Sequence, residues 1–139
     1  VLFRALPAVV MSRIIFVSFD QLNASHGALR NADKSTDHIV LVESARMIHG
    51  RPWHRQRLHF LISSARHFAH EMQLAGWQAT YLKADTTVAG LQTIMAQHPQ
   101  AQVVCATPHS YRLRRSLLEL GVQFIDNDFF LTTTEQFEF

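Results

Sequence analysis

The sequence predicts an α/β domain, a Rossmann-like three-layer sandwich around a five-stranded parallel sheet, and three observations lead there. From Met11 onward, short β-branched or aromatic runs alternate with longer segments of helical spacing, the alternation that βαβ units produce. The runs are apolar without a break, Ile14-Ile15-Phe16-Val17 above all, which suits strands covered by helices on both faces. A chain of 139 residues, 47% of them hydrophobic, has the size of one domain and enough apolar surface for one core.

Taken in order, the first strand is read over Arg13 to Phe19. Asp20 to Asp37, with its Asn, Ser, Gly, Asp and Lys, is read as connection carrying a short helix around Gly27 to Arg30. Further strands are placed at His38 to Val42, Gln78 to Leu82, Gln102 to Thr107 and Val122 to Asp126. Between them, Arg55 to Ala75 is the clearest helix: Leu58, Leu61, Ile62, Ala65, Ala69 and Met72 recur at steps of three and four. His59, Ser63, Arg66 and His70 fall on its opposite face, and Gly76 stands where a left-handed residue ends a helix. Thr87 to Gln97, stopped near Pro99, and Ser110 to Leu120, stopped at Gly121, are shorter helices of the same kind, the first weakened only slightly by Gly90. Short links and right-handed crossovers order such strands as an open, doubly wound sheet, with ligands in the crevice beyond the carboxyl ends of the strands. There is no internal repeat and no low-complexity tract.

Composition narrows the function classes. One cysteine, Cys105, excludes an internal disulfide and a four-cysteine metal or cluster site within this chain, so the expected setting is cytoplasmic. A formal charge of +2 with nine histidines attracts polyanions only where the cations cluster. Residues 1–10 are mostly apolar but interrupted by Arg4 and Pro7, too short to span a bilayer and without a small-residue cleavage site. They are read as an upstream extension before a start at Met11, with no membrane partner expected.

At the other end, Thr132 with Glu135, or Thr133 with Gln136, has the spacing of a capping box that opens a helix. Too few residues follow to build that helix alone, and Phe129, Phe130, Phe137 and Phe139 need apolar cover, from a following domain or from the sheet itself. The expected organisation is therefore an α/β domain over 11–131 and, over 132–139, the start of a linker or helix.

Three places could carry chemistry. Asp20 and Gln21 leave the first strand in Phe19-Asp20-Gln21-Leu22, where this architecture puts its ligand; they offer it a carboxylate and an amide, or else merely cap a turn. Glu43 ends the second strand in Val42-Glu43-Ser44, placed to accept from a ribityl or ribose hydroxyl or to stand solvated. Arg51-Pro52-Trp53-His54-Arg55-Gln56-Arg57 crowds cations at the head of the long helix, against its dipole. An anionic ligand, an acidic surface of another domain, or simple solvation of arginines over apolar surface would each account for them. His54 extends the Leu58 and Leu61 stripe and is expected to be a buried, hydrogen-bonded histidine.

Other candidates fall away. His67 and His70 share a turn without a third ligand, so no metal site is assigned. No phosphate-binding glycine motif and no Gly-x-Ser-x-Gly elbow is present, and Cys105, inside an apolar strand, reads as a buried inert thiol. Arg112, Arg114 and Arg115 form a basic helix edge, either a contact for phosphate or a solvated face.

The strings Phe19-Asp20-Gln21-Leu22, Val42-Glu43, Trp53-His54-Arg55-Gln56-Arg57 and Ser64-Ala65-Arg66-His67-Phe68-Ala69, in this order and spacing, resemble the N-terminal domain of the cryptochrome/photolyase family. Within it they are most similar to the deoxyribodipyrimidine photolyase-related branch, and the likeness runs from Met11 through Phe130-Leu131-Thr132 to Glu135 and Phe137. The resemblance implies an antenna chromophore of lumazine or deazaflavin type in this domain, with Asp20, Gln21, Glu43, His54 and Arg57 at the crevice or its rim. It further implies a C-terminal helical domain, absent here, that binds FAD, damaged DNA and a 4Fe-4S cluster. The full-length relative would then be a DNA photolyase that repairs a flipped-out photoproduct in the light, this piece alone being non-catalytic. A blue-light signalling cryptochrome fragment, or a free-standing nucleotide-binding α/β module, is the alternative.

Overall fold

The computed structural model describes residues 13–137. The expected upstream extension, the start at Met11 and the last phenylalanine, Phe139, lie outside the described residues. Five strands, β1 (Arg13–Phe16), β2 (Asp37–Ser44), β3 (Gln78–Ala84), β4 (Gln102–Ala106) and β5 (Gln123–Ile125), form one sheet in the order β3-β2-β1-β4-β5. Every pairing is parallel, with Ile15 opposite both Ile39 and Val104 and with Cys105 opposite Phe124. The Rossmann-like α/β sandwich expected from the sequence is the fold observed.

The period-two geometry of the strands explains why their apolar runs are unbroken, because alternate side chains feed two different cores. Ile15, Ile39, Leu41 and Val104 pack beneath helix α2 (Arg55–Leu74) through Ala65, Phe68, Ala69 and Met72. Ile14, Phe16, Val40, Val42, Val103 and Cys105 pack on the opposite face beneath α3 (Thr87–Gln97) and α4 (Tyr111–Leu120), through Leu91, Ile94 and Leu117. Contact on the second face is close at Gly90: a Cβ there would stand 2.6 Å from Val42 Cγ1. The glycine that weakens α3 by propensity is what lets α3 settle on β2.

Helix ends follow local chemistry. Thr86 accepts from Ala89 N at 3.0 Å to start α3, and Ser110 accepts from Leu113 N at 3.4 Å to start α4. α2 and α4 both stop in Schellman geometry at a positive-φ glycine, Gly76 (φ 93°) and Gly121 (φ 88°), with Trp77 N donating to Met72 O and Val122 N to Leu117 O.

Three details, the end of β1, the end of β2 and an added one-turn helix, differ from the sequence expectation, while the short helix around Gly27 and the capping box form as expected. β1 ends at Phe16, since Val17 N keeps a bond to Val40 O but the chain then turns away at Phe19 and Asp20. β2 runs longer than expected, to Ser44, and leads directly into a one-turn helix, α1 (Ala45–His49), which has no counterpart in the expected elements. Around Gly27 the connection holds a short 3-10 turn, Gly27–Leu29. Its Gly27 has φ 64°, and a Cβ would strike Phe129 at 2.9 Å. The capping box forms reciprocally: Gln136 N donates to Thr133 Oγ1 and Thr133 N to Gln136 Oε1, opening α5 (Thr134–Phe137). Phe130 and Phe137 stay exposed and are not folded back on the sheet.

Candidate functional site

In the order β3-β2-β1-β4-β5, successive connections run outward from β1 toward β3 and then cross back to β4, so the chain diverges between β1 and β4. Loops that part in this way leave a crevice at the carboxyl ends of the strands. An open groove of about 1300 Å³ lies there. Its base comes from the residues leaving β1 (Ser18, Phe19, Asp20) and from Ser44 at the end of β2. α1 and the head of α2 give one wall through Met47, Arg51, Trp53 and Arg57, and α4 gives the other through Tyr111, Arg112 and Arg115. Thr86 and Val88 at the head of α3 complete the lining.

Local bonds hold these walls. Ser44 Oγ accepts from Met47 N at 3.2 Å as the cap of α1, and Arg46 N donates to Asp85 O at 3.0 Å, tying α1 to the loop before α3. Trp53 Nε1 donates to Met47 O at 2.8 Å, so the indole closes the link between α1 and α2. The Arg51 guanidinium lies 3.8 Å from the centroid of the Trp53 ring and that of Arg57 lies 5.7 Å away, cation–π contacts that place two of the crowded arginines.

The five residues expected at the crevice separate into three locations. Asp20 and Arg57 line the groove. The Asp20 carboxylate, half exposed, accepts from the Ser18 hydroxyl and sits 3.3 Å from His109 Nδ1. Gln21 and Glu43 are buried behind it. Gln21 donates through Nε2 to Thr107 O at 3.2 Å, bracing the exit of β1 against the exit of β4. It borders a cavity of about 10 Å³, room for roughly one water molecule. Glu43 has the same strand parity as Ile39 and Leu41 and therefore faces α2, where Arg66 donates to it at 2.9, 3.0 and 3.1 Å and the Tyr81 hydroxyl also donates.

Burial alone would raise the Glu43 carboxyl, but the Arg66 and Tyr81 hydrogen bonds outweigh it and hold it below the usual carboxylate range. Burial and the adjacent carboxylate push the Tyr81 hydroxyl well above the ordinary phenol value. Tyr81 stacks on Phe19 at 6.2 Å and 20°, so the cluster supports a groove residue from behind without entering the groove.

His54 stands elsewhere and corrects an expectation. It is exposed, precedes the first helical residue in extended conformation and makes no side-chain cap bond, so it is not the buried, hydrogen-bonded histidine expected. The apolar stripe stops at the start of the helix, one residue after His54, because the backbone before it does not follow helical rotation. Cys105 matches its expectation: it is fully buried, and burial together with the Asp20 charge pushes its thiol pKa up to about 12.

Sequence reasoning did not place Ser44, Met47, Thr86 and Tyr111 at the site. Their common signal is position, since each lies within a few residues of a strand's carboxyl end. The basic edge of α4 divides: Arg112 and Arg115 reach the groove, and Arg114 does not line it. No helix among the described residues is long and apolar enough to cross a membrane.

Comparison with known proteins agrees with this architecture. A (6-4) photolyase of Agrobacterium fabrum strain C58 is 35% identical over 75 residues, a stretch making up 54% of this chain and 15% of that protein. The matched stretch thus spans only a small part of the length of that relative. The sequence model of the family described as deoxyribodipyrimidine photo-lyase-related protein matches residues 15–139, nearly all of the sheet and its helices. The chain belongs to the deoxyribodipyrimidine photo-lyase-related protein family.

Proposed function

We propose that residues 11–131 form the antenna-chromophore-binding domain of a photolyase-related flavoprotein for light-dependent DNA repair. On this reading residues 132–139 lead into a helical domain that carries FAD, a 4Fe-4S cluster and the surface for damaged DNA, none of which this piece supplies. The observation that carries the proposal is the groove at the β1/β4 divergence, lined by aromatic and apolar groups interleaved with arginines and hydroxyls.

The lining fits a flat heteroaromatic molecule with a hydroxylated chain. Phe19, Trp53 and Tyr111 offer aromatic surface and Met47, Leu61 and Val88 offer apolar cover, while Asp20 and Ser110 offer polar oxygens. When bound, such a chromophore of lumazine or deazaflavin type absorbs near-ultraviolet or blue light and passes the excitation on. The protein's part is to position it. Asp20 accepts from a ribityl hydroxyl, Arg57 donates to a ring carbonyl or a terminal acceptor, and the apolar walls exclude water from the ring. Gln21 and Glu43 act one layer further in, holding the exits of β1 and β2 in place.

Absorbance of the chain after incubation with cell extract tests the proposal. The expected result is a co-purifying chromophore that absorbs beyond the protein band, and uptake of purified ribityllumazine or deazaflavin with a loss of at least about tenfold in affinity for Asp20→Asn. Bound adenine nucleotide with no uptake of either chromophore would instead indicate a nucleotide-binding module and contradict the proposal.

A further inference from the structure

We propose that the groove holds its ligand by an anionic tail, a phosphomonoester or comparably charged group on the heteroaromatic molecule, gripped between Arg57 on one wall and Arg112 on the other. The inference rests on the chromophore reading above and adds the charge class of the ligand.

Five arginines line the groove, Arg46, Arg51, Arg57, Arg112 and Arg115, against two carboxylates, Asp20 and Glu119. Both carboxylates have partners: Asp20 is 3.3 Å from His109, and Glu119 is 3.5 Å from Arg115. Among the described residues no carboxylate pairs with Arg46, Arg51, Arg57 or Arg112, nor with Arg55 in the first turn of α2. Arg13, Arg30 and Arg66, on other surfaces, are each paired with a carboxylate. Among the described arginines, those without a carboxylate partner therefore lie at the groove or in the helix turns beside it, while Lys34 and Lys83 stand elsewhere.

The backbone around them has the same polarity. α2, α3 and α4 all begin at the groove, and none carries an acidic residue in its first turn, the position where a carboxylate would ordinarily complement the helix dipole. The head of α2 also lacks a side-chain cap, which leaves its first amides for solvent or a ligand. Arginines placed at these ends repel the dipoles as well as one another. A negatively charged group between the walls reverses both effects at once, accepting from guanidinium and amide donors together. Trp53 holds Arg51 and Arg57 beside its ring, so part of the cation array is ordered before any ligand arrives.

Equilibrium titration of the full chain with ribityllumazine, and with the same molecule phosphorylated at the ribityl terminus, tests the proposal. The phosphorylated probe should bind at least about tenfold tighter, with a preference that shrinks as ionic strength rises. An Arg57→Gln, Arg112→Gln double variant should lose the preference, and Arg114→Gln, on the same helix but outside the groove, should keep it. Equal affinity for the two probes, unaltered in the double variant, would overturn the anionic tail and leave the chromophore reading standing. Binding of neither probe would defeat both. Displacement of the phosphorylated probe by a short single-stranded oligonucleotide of comparable affinity would assign the arginines to nucleic acid and overturn the proposal.

Discussion

Replacing Arg66 by alanine should destabilise the fold more than neutralising the carboxylate it holds, even though Glu43 is the buried member of the pair. The Glu43 side chain is 7% exposed and that of Arg66 is 50% exposed, so the two respond differently to losing their partner. In Glu43→Gln, the released guanidinium turns into water, and the amide keeps the shape and one acceptor for Tyr81. A net loss of about 1 kcal/mol follows, the scale of one ordinary hydrogen bond. In Arg66→Ala the carboxylate cannot follow its partner into solvent and keeps only the Tyr81 hydrogen bond and the more distant charge of Lys83, which costs about 2–3 kcal/mol, short of the penalty for a fully buried broken pair. Urea unfolding followed by the emission of Trp53 and Trp77 at neutral pH measures both changes. The two variants also separate on the acid side. The folded-state pKa of Glu43 lies below the 4.5 of a free glutamate, so its contribution is present above that pH and fades as pH falls through the folded value. Glu43→Gln should therefore show a shallower loss of stability in acid than the parent chain. Equal destabilisation by the two substitutions, or an unchanged acid limb in Glu43→Gln, would refute this account of the cluster.

Gly90→Ala should destabilise by about 1–2 kcal/mol in the same assay, because overpacking against the stiff Val42 outweighs a propensity gain of about 1 kcal/mol. A stabilised variant would show that α3 is free to lift from β2. Burial, and then the neighbouring His98, lower the pKa of His38, whose Nδ1 has no hydrogen-bond partner among the described residues. The fold should therefore be most stable above pH 6.5, the free-histidine value, and weaken as pH falls toward the lower folded value, a component that His38→Gln removes from the stability–pH curve. Cys105 should resist a thiol-reactive disulfide reagent in native buffer and react at once in denaturant, since it is fully buried and its thiolate is suppressed. Rapid native reaction would mean that β4 opens locally.

Period and punctuation made most of the fold readable. Leu58, Leu61, Ala65, Ala69 and Met72 locate α2, and Gly76 and Gly121 mark two helix ends where their positive φ is used. α1 escaped because five residues, Ala45 to His49, are too few to show a helical period, and the capping Ser44 also ends a strand. The site was readable in its location at the strand ends but only partly in its residues. The nearness of Glu43 to the end of β2 is the signal that points to the crevice. Its parity with Ile39 and Leu41 already directs it toward α2, although nothing in sequence spacing announces that Arg66 and Tyr81 wait there. Arg57 and Arg112 come from helices far apart in sequence, and only the order of the strands makes them opposite walls.

Amide chemical-shift mapping of the isotopically labelled chain, titrated with ribityllumazine, addresses the binding groove itself. The account predicts that perturbed amides cluster at Ser18 to Asp20, Ser44 to Arg57, Thr86 to Val88 and Ser110 to Glu119, the elements that surround the groove. Perturbations gathered instead at the opposite end of the sheet, around Arg13, Gln78 and Gln102, or none at saturating ligand, would contradict it.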